Sequence, residues 1–193
     1  MNFDATLNVR GSLDYGIIYG NEGIVFIKSG RGGTCRGYED KYLKMAKRLN
    51  SSRGYTVICA SNPPDPKISC DIDKSVIEKV ISEKGFDNFE LFLVGSSNGA
   101  YQNLFLANQL TDVKKIMGIN MPLMIDPHKI NRTLSTLDSV EKIFVYGTED
   151  PSFSYIPMLE IKNLPRFRVI RVKDADHNFK SKTDTFVELV DLI

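Results

Sequence analysis

The amino-acid sequence predicts an α/β protein with a mostly parallel central sheet and helices on both faces. Three observations lead there. Short apolar runs alternate with segments of helical spacing along nearly the whole chain. Most of those runs are continuously apolar, as strands buried on both faces are. One run turns into a helix through Gly95-Ser96-Ser97-Asn98-Gly99. A GxSxG at a strand-to-helix turn holds its serine in a strained backbone conformation and lifts it above the sheet, while the flanking small residues let strand and helix approach. Ser97 is the candidate nucleophile.

Taken in order, Ala5 to Arg10 and Tyr15 to Tyr19 suit an N-terminal hairpin. Ile24-Val25-Phe26-Ile27 is the first buried run and leads into Lys28-Ser29-Gly30-Arg31-Gly32-Gly33-Thr34. Tyr38, Tyr42, Met45, Ala46 and Leu49 then keep helical spacing, followed by the run Tyr55-Thr56-Val57-Ile58-Cys59. Ile72, Val76, Ile77, Val80 and Ile81 trace a second amphipathic helix ending at Gly85, in the position of a C-terminal cap. Leu91-Phe92-Leu93-Val94 precedes the GxSxG, and Ala100 to Ala107 continues it as a helix. Further strands are expected at Ile116-Met117-Gly118-Ile119, Ile143-Phe144-Val145-Tyr146 and Phe167-Arg168-Val169-Ile170-Arg171-Val172. The last alternates and belongs near an edge. Phe186, Val187, Leu189, Val190 and Ile193 form a closing helix behind Ser181 and Asp184, spaced as a capping box. Such an alternation places ligands at the carboxyl ends of the strands.

With 193 residues, 42% of them hydrophobic, the chain suits one domain spanning 1–193. Its 25 basic and 24 acidic residues nearly balance and neither sign gathers in a block, so no nucleic acid and no membrane surface is indicated as partner. The start Met1-Asn2-Phe3-Asp4-Ala5-Thr6 lacks a basic, apolar leader, and no apolar run approaches the roughly 18 residues that span a bilayer. A cytoplasmic protein with reduced thiols is expected. Cys35, Cys59 and Cys70 are widely spaced, and with only His128 and His177 beside them they suggest no zinc-type cluster and no metal.

A serine hydroxyl becomes a competent nucleophile only beside a base, and the base needs an orienting group. Two later loops supply both types. Gly147-Thr148-Glu149-Asp150-Pro151 follows the fifth apolar run, and Asp174-Ala175-Asp176-His177-Asn178-Phe179 follows the sixth. Both loops fall at the sheet edge that carries Ser97. His128, in Asp126-Pro127-His128-Lys129, sits instead where a helix starts and reads as a surface residue. The glycine cluster at Gly30 to Gly33 lacks the Gly-Lys-Ser/Thr end of a Walker loop, and residue 35 is Cys where a dinucleotide fingerprint needs glycine. Cys35 has no base placed beside it.

The order Ser97, Asp150, His177 on three strand-end loops resembles the α/β-hydrolase family across nearly the whole chain. That resemblance implies a serine hydrolase in which Ser97 attacks an acyl carbon, His177 moves the proton and Asp150 holds the imidazole. Glu149, Asp174 and Asp176 are the other acids near these positions. It also implies an oxyanion hole made by the backbone N–H of Asn98 and by one from the glycine loop, where Arg31 aligns with the family's donor and Gly30 is next to it. Ser29 stands where histidine is usual. The Arg31 side chain, near the pocket mouth, would favour an acidic acyl or leaving group. No organic cofactor is implied. The interval from Ile119 to Ile143 has no room for a helical lid, so an open site is expected, with Met121, Leu123 and Met124 as an apolar wall for the substrate. The implied substrates are small esters or thioesters, or an acyl group on a larger partner. A peptidase or acyltransferase would use the same residues, and a non-catalytic binding protein would use the same fold.

Overall fold

The structure is a computed structural model that describes residues 2–64, 69–85 and 89–193. Its centre is an eight-stranded sheet in the order β1-β2-β4-β3-β5-β6-β7-β8. The strands are β1 (Ala5–Val9), β2 (Leu13–Ile18), β3 (Ile24–Lys28), β4 (Thr56–Ala60), β5 (Leu91–Ser96), β6 (Val113–Ile119), β7 (Glu141–Gly147) and β8 (Phe167–Val172). β3 to β8 pair in parallel, while the β1–β2 hairpin adds to β4 antiparallel. All six apolar runs became strands. β8, with Arg168 and Arg171 exposed, is the outer strand, and Arg171 Nη2 pairs with Glu160 Oε1 at 2.7 Å.

The helices are α1 (Lys41–Arg53), α2 (Ser69–Lys84), α3 (Asn98–Leu106), α4 (Pro127–Leu134), α5 (Ile156–Glu160) and α6 (Thr183–Glu188). Successive strand residues face opposite sides of a sheet, and the two cores follow that alternation. Ile24 and Phe26 of β3 pack on the side that holds Val76, Ile77, Leu104, Ile130 and Leu159 from α2 to α5. Val25 and Ile27 pack on the other side, with Tyr42, Met45, Ala46 and Leu49 of α1 and Phe186 of α6. Full burial of each such side chain contributes roughly 1.5–3 kcal/mol, so both layers hold the sheet. Gly85 ends α2 as expected, its φ is 64° and its N–H donates to Ile81 O at 3.1 Å.

Two local expectations are corrected. Tyr38 lies on a tight 3-10 turn ahead of α1 and is 56% exposed, because the left-handed Glu39 and Asp40 break its phase with Tyr42. At α6 the N-cap is Lys182, with no side-chain cap hydrogen bond. Ser181 falls inside a preceding 3-10 turn, and the Thr183 hydroxyl goes to Glu39 Oε2 at 3.0 Å.

The topology positions the functional edge. From β3 the chain crosses to β4 on one side and then returns to β5 on the other, so the loops leaving β3 and β5 diverge at their carboxyl ends and leave a crevice there. Between Asn120 and Val140 the chain holds only the eight-residue α4, whose Ile130 and Leu134 turn into the core. Among the described residues no lid covers the crevice.

Candidate active site

Ser97 sits between β5 and α3 with φ 52° and ψ −124°, a left-handed backbone that a non-glycine residue adopts only under strain. Neighbours hold it there: its N–H donates to Ile119 O at 2.8 Å, and its own carbonyl accepts Ala100 N–H at 3.0 Å. Gly99 makes the turn possible, since a Cβ there would collide with the carbonyl oxygens of Lys28 and Ser29 at the end of β3. Backbone atoms cannot swing aside as a flexible side chain can. The close approach brings the loop after β3 against the serine.

Of the candidate groups, the structure brings together Ser97, His177 and Asp150. The Ser97 hydroxyl donates to His177 Nε2 at 2.9 Å, and His177 Nδ1–H donates to Asp150 Oδ2. Asp150 is buried, and its other oxygen accepts Ser152 N–H at 2.7 Å, which fixes the carboxylate in one orientation. Glu149 is exposed on the same turn. Asp176 closes its own turn by accepting N–H groups from Asn178 and Lys180, both at 3.0 Å. Only Asp150 therefore reaches the histidine among the acids considered. His128 is exposed on α4, whose N-cap Asp126 accepts Lys129 N–H at 3.0 Å.

Asn120, which the sequence reading missed, ties these loops together. Fully buried at the end of β6, it donates from Nδ2 to the carbonyls of Asp176 (3.1 Å) and His177 (2.9 Å), while its Oδ1 accepts Gly147 N–H at 2.9 Å. One amide thus fixes the histidine loop to the turn that carries Asp150. A second set of amides fixes the glycine loop. Asn62 donates to Ser29 O at 3.0 Å and to Asn98 Oδ1 at 3.1 Å, and Gln102 bridges Asn62 and Asn98. The Ser29 hydroxyl donates to Gly33 O at 3.0 Å, so the residue in place of the family's histidine closes the loop on itself. The available signal was a polar amide just past an apolar run, directly after it for Asn120 and one serine further on for Asn62.

A cleft of ≈ 650 Å³ opens beside Ser97, with Gly30, Arg31, Lys41, Tyr42, His177 and Lys180 among its walls. Burial, foremost, pushes the Tyr42 hydroxyl up to about 12, against the pull of the Ser96 side chain and the Gly30 backbone. The Arg31 guanidinium donates from Nε to Pro64 O at 3.0 Å. The expected apolar wall is corrected. Met121 and Leu123 are buried in the core under the loop, Met124 is 45% exposed, and none of the three lines this cleft. Tyr146 accounts for part of this, because its hydroxyl donates to Met121 O at 3.1 Å and draws that backbone inward. Cys35 is half-buried and burial pushes its thiol up, away from nucleophilic use.

Comparison with solved structures decides the fold. A putative α/β hydrolase of unknown function from Agrobacterium tumefaciens superposes with a TM-score of 0.76 at 16% identity, over 97% of this chain and 93% of that one. The chain has the α/β-hydrolase fold. Similar too are XC6422 from Xanthomonas campestris, an a/b serine hydrolase without lid (TM-score 0.64, 18% identity, 97% and 91% covered), and Est1E from Butyrivibrio proteoclasticus with ferulic acid bound (0.71, 12%, 97% and 96%). No family model matches the chain, and no curated protein matches it by sequence. At such identities the likeness is one of α/β-hydrolase architecture, and the chemistry rests on the side chains described above. Among the described residues no helix is long and apolar enough to cross a membrane.

Proposed function

We propose that the protein is a serine hydrolase of carboxylic esters or thioesters that works through an acyl-enzyme on Ser97. One observation carries the reading: the unbroken hydrogen-bond relay from the Ser97 hydroxyl through both nitrogens of His177 to Asp150. In the first half-reaction Ser97 Oγ bonds to the acyl carbon as its proton passes to His177 Nε2. The tetrahedral adduct collapses, the alkoxide or thiolate departs with the proton from His177, and the acyl group stays on Ser97. Water then attacks with His177 as base, releasing a carboxylic acid and the free serine. Asp150 keeps Nδ1 protonated and stabilises the imidazolium in between.

The developing oxyanion takes the N–H of Asn98, in the first turn of α3 where helical N–H groups lack an intrahelical acceptor. The second donor is the N–H of Arg31. The preceding Gly30 runs directly against Ser97, a Cβ on it standing 3.3 Å from Ser97 Cβ. Removing one such donor typically costs about 3 kcal/mol of barrier.

An exposed crevice that no lid covers among the described residues suits short acyl groups or an acyl unit presented by a larger partner, in line with the lidless serine hydrolase among the similar structures. Turnover of short-chain aryl esters tests the reading. Wild type should release the phenol, and Ser97→Ala should lower kcat by about 10^4-fold or more. Equal rates for both would remove Ser97 from the mechanism.

A further inference from the structure

Among the described residues, the walls of the Ser97 cleft carry three cationic side chains, Arg31, Lys41 and Lys180, and no acidic one. The chain as a whole has a net charge of only +1, so this is a local bias. The carboxylates near the cleft, among the described residues, have partners of their own. Asp40 takes Arg36 through both oxygens, Glu39 takes the Thr183 hydroxyl, Asp176 takes two backbone N–H groups, and Asp150 stands behind His177. Among the described residues neither Arg31, Lys41 nor Lys180 pairs with a carboxylate.

Lys41 is the informative member. It is only 6% exposed, a costly place for an ammonium group that makes no direct ion pair with a carboxylate of the described residues. Its Nζ donates to Asn178 O at 3.1 Å and lies 4.1 Å from the centre of the Phe186 ring and 5.4 Å from that of Tyr42. These contacts aim the head group beside the histidine loop while using one of its three hydrogens on a protein oxygen. Arg36 and Asp40, paired at 2.7 Å, brace the left-handed turn from which Lys41 emerges.

We propose that the substrate of this site carries an anionic group near the scissile bond, received by Lys41 with Lys180 and Arg31 at the rim. The inference rests on the serine-hydrolase reading and names its substrate class. Burial lowers the Lys41 ammonium to about 8, opposed by Asp176. Tyr38, Tyr42, His177, Arg31 and Lys180 share the cleft walls with it, Asp40 precedes it in its pair with Arg36, and Tyr42 stays neutral well above that pH. Lys41 is thus charged below about pH 8, and anion preference should fade as the pH rises through that value.

Matched ester pairs test it with the full chain. On the acyl side, para-nitrophenyl hydrogen adipate is compared with its neutral methyl ester; on the leaving-group side, para-acetoxybenzoate with methyl para-acetoxybenzoate. In at least one pair, kcat/KM should favour the anion by about tenfold or more at low ionic strength. The ratio should fall on adding sodium chloride, in Lys41→Met and, by a smaller factor, in Lys180→Gln. Because the readout is a ratio, a variant with impaired basal turnover remains informative, and Lys180 is exposed enough to be replaced without disturbing the core. Fluorophosphonate labelling of Ser97 separates the two levels. Intact labelling with equal turnover inside both pairs overturns the anionic inference alone. Loss of labelling in wild type, with no turnover of any of the four esters, removes the hydrolase reading beneath it.

Discussion

Asp150 and Glu149 are adjacent on one turn, yet their side chains diverge, one buried against His177 and the other in solvent. Chemistry should divide between them in the same way. Asp150→Asn keeps the shape but favours the wrong imidazole tautomer, and kcat on an aryl ester should fall by about 10^3- to 10^4-fold. Glu149→Gln, an exposed exchange, should change it by less than about twofold. Equal, small effects from both would refute the assignment of Asp150. The order of residues made Ser97, Asp150 and His177 legible because each motif sits at a strand end. The residues meant to wall the pocket were not legible. Met121 and Leu123 are apolar and follow a strand, which is equally the description of a buried loop, and the structure puts them in the core.

At the scale of elements, strand positions were the most readable part of the fold, since a strand buried on both faces leaves an uninterrupted apolar run. Helix starts were less so. The Ser181-to-Asp184 spacing imitates a capping box, but a 3-10 turn held by Lys182 N–H to Phe179 O at 3.0 Å shifts the true start to Thr183. Asn120 escaped notice because its partners are backbone groups about 27 and 57 residues away along the chain, a relation that no local pattern encodes. Its amide holds two loops, so Asn120→Ala should release the histidine loop and leave the buried Gly147 N–H unpaired, at about 1–3 kcal/mol. Urea unfolding should register that loss of stability, and kcat should drop by more than the loss of folded protein accounts for. A variant with full kcat would show that the loops need no such tie.

Across the whole molecule, the sheet is pinned beneath the glycine loop by a buried ionic group. Lys28 Nζ, at the end of β3, lies 2.9 Å from both Asp73 oxygens, and the Tyr15 hydroxyl donates to Asp73 at 2.7 Å. Burial is the leading influence on both charges, pushing Lys28 down and Asp73 up, while their mutual attraction opposes it. Removing one partner leaves the other buried and uncompensated, which typically costs about 3–5 kcal/mol, whereas an apolar pair of similar volume can be close to neutral. In urea unfolding, Asp73→Leu should therefore be much less stable than wild type, and Lys28→Met with Asp73→Leu should recover part of the loss. If the double variant is no better than the single, the buried pair contributes more than mutual neutralisation. The crossover of β3, β4 and β5 and the loops after β7 and β8 all converge on one atom, Ser97 Oγ. Intact-mass measurement of fluorophosphonate labelling tests that convergence most directly. Wild type should gain a single adduct that maps to Ser97 and Ser97→Ala none, whereas an unlabelled, folded wild type or a labelled Ser97→Ala would contradict the account.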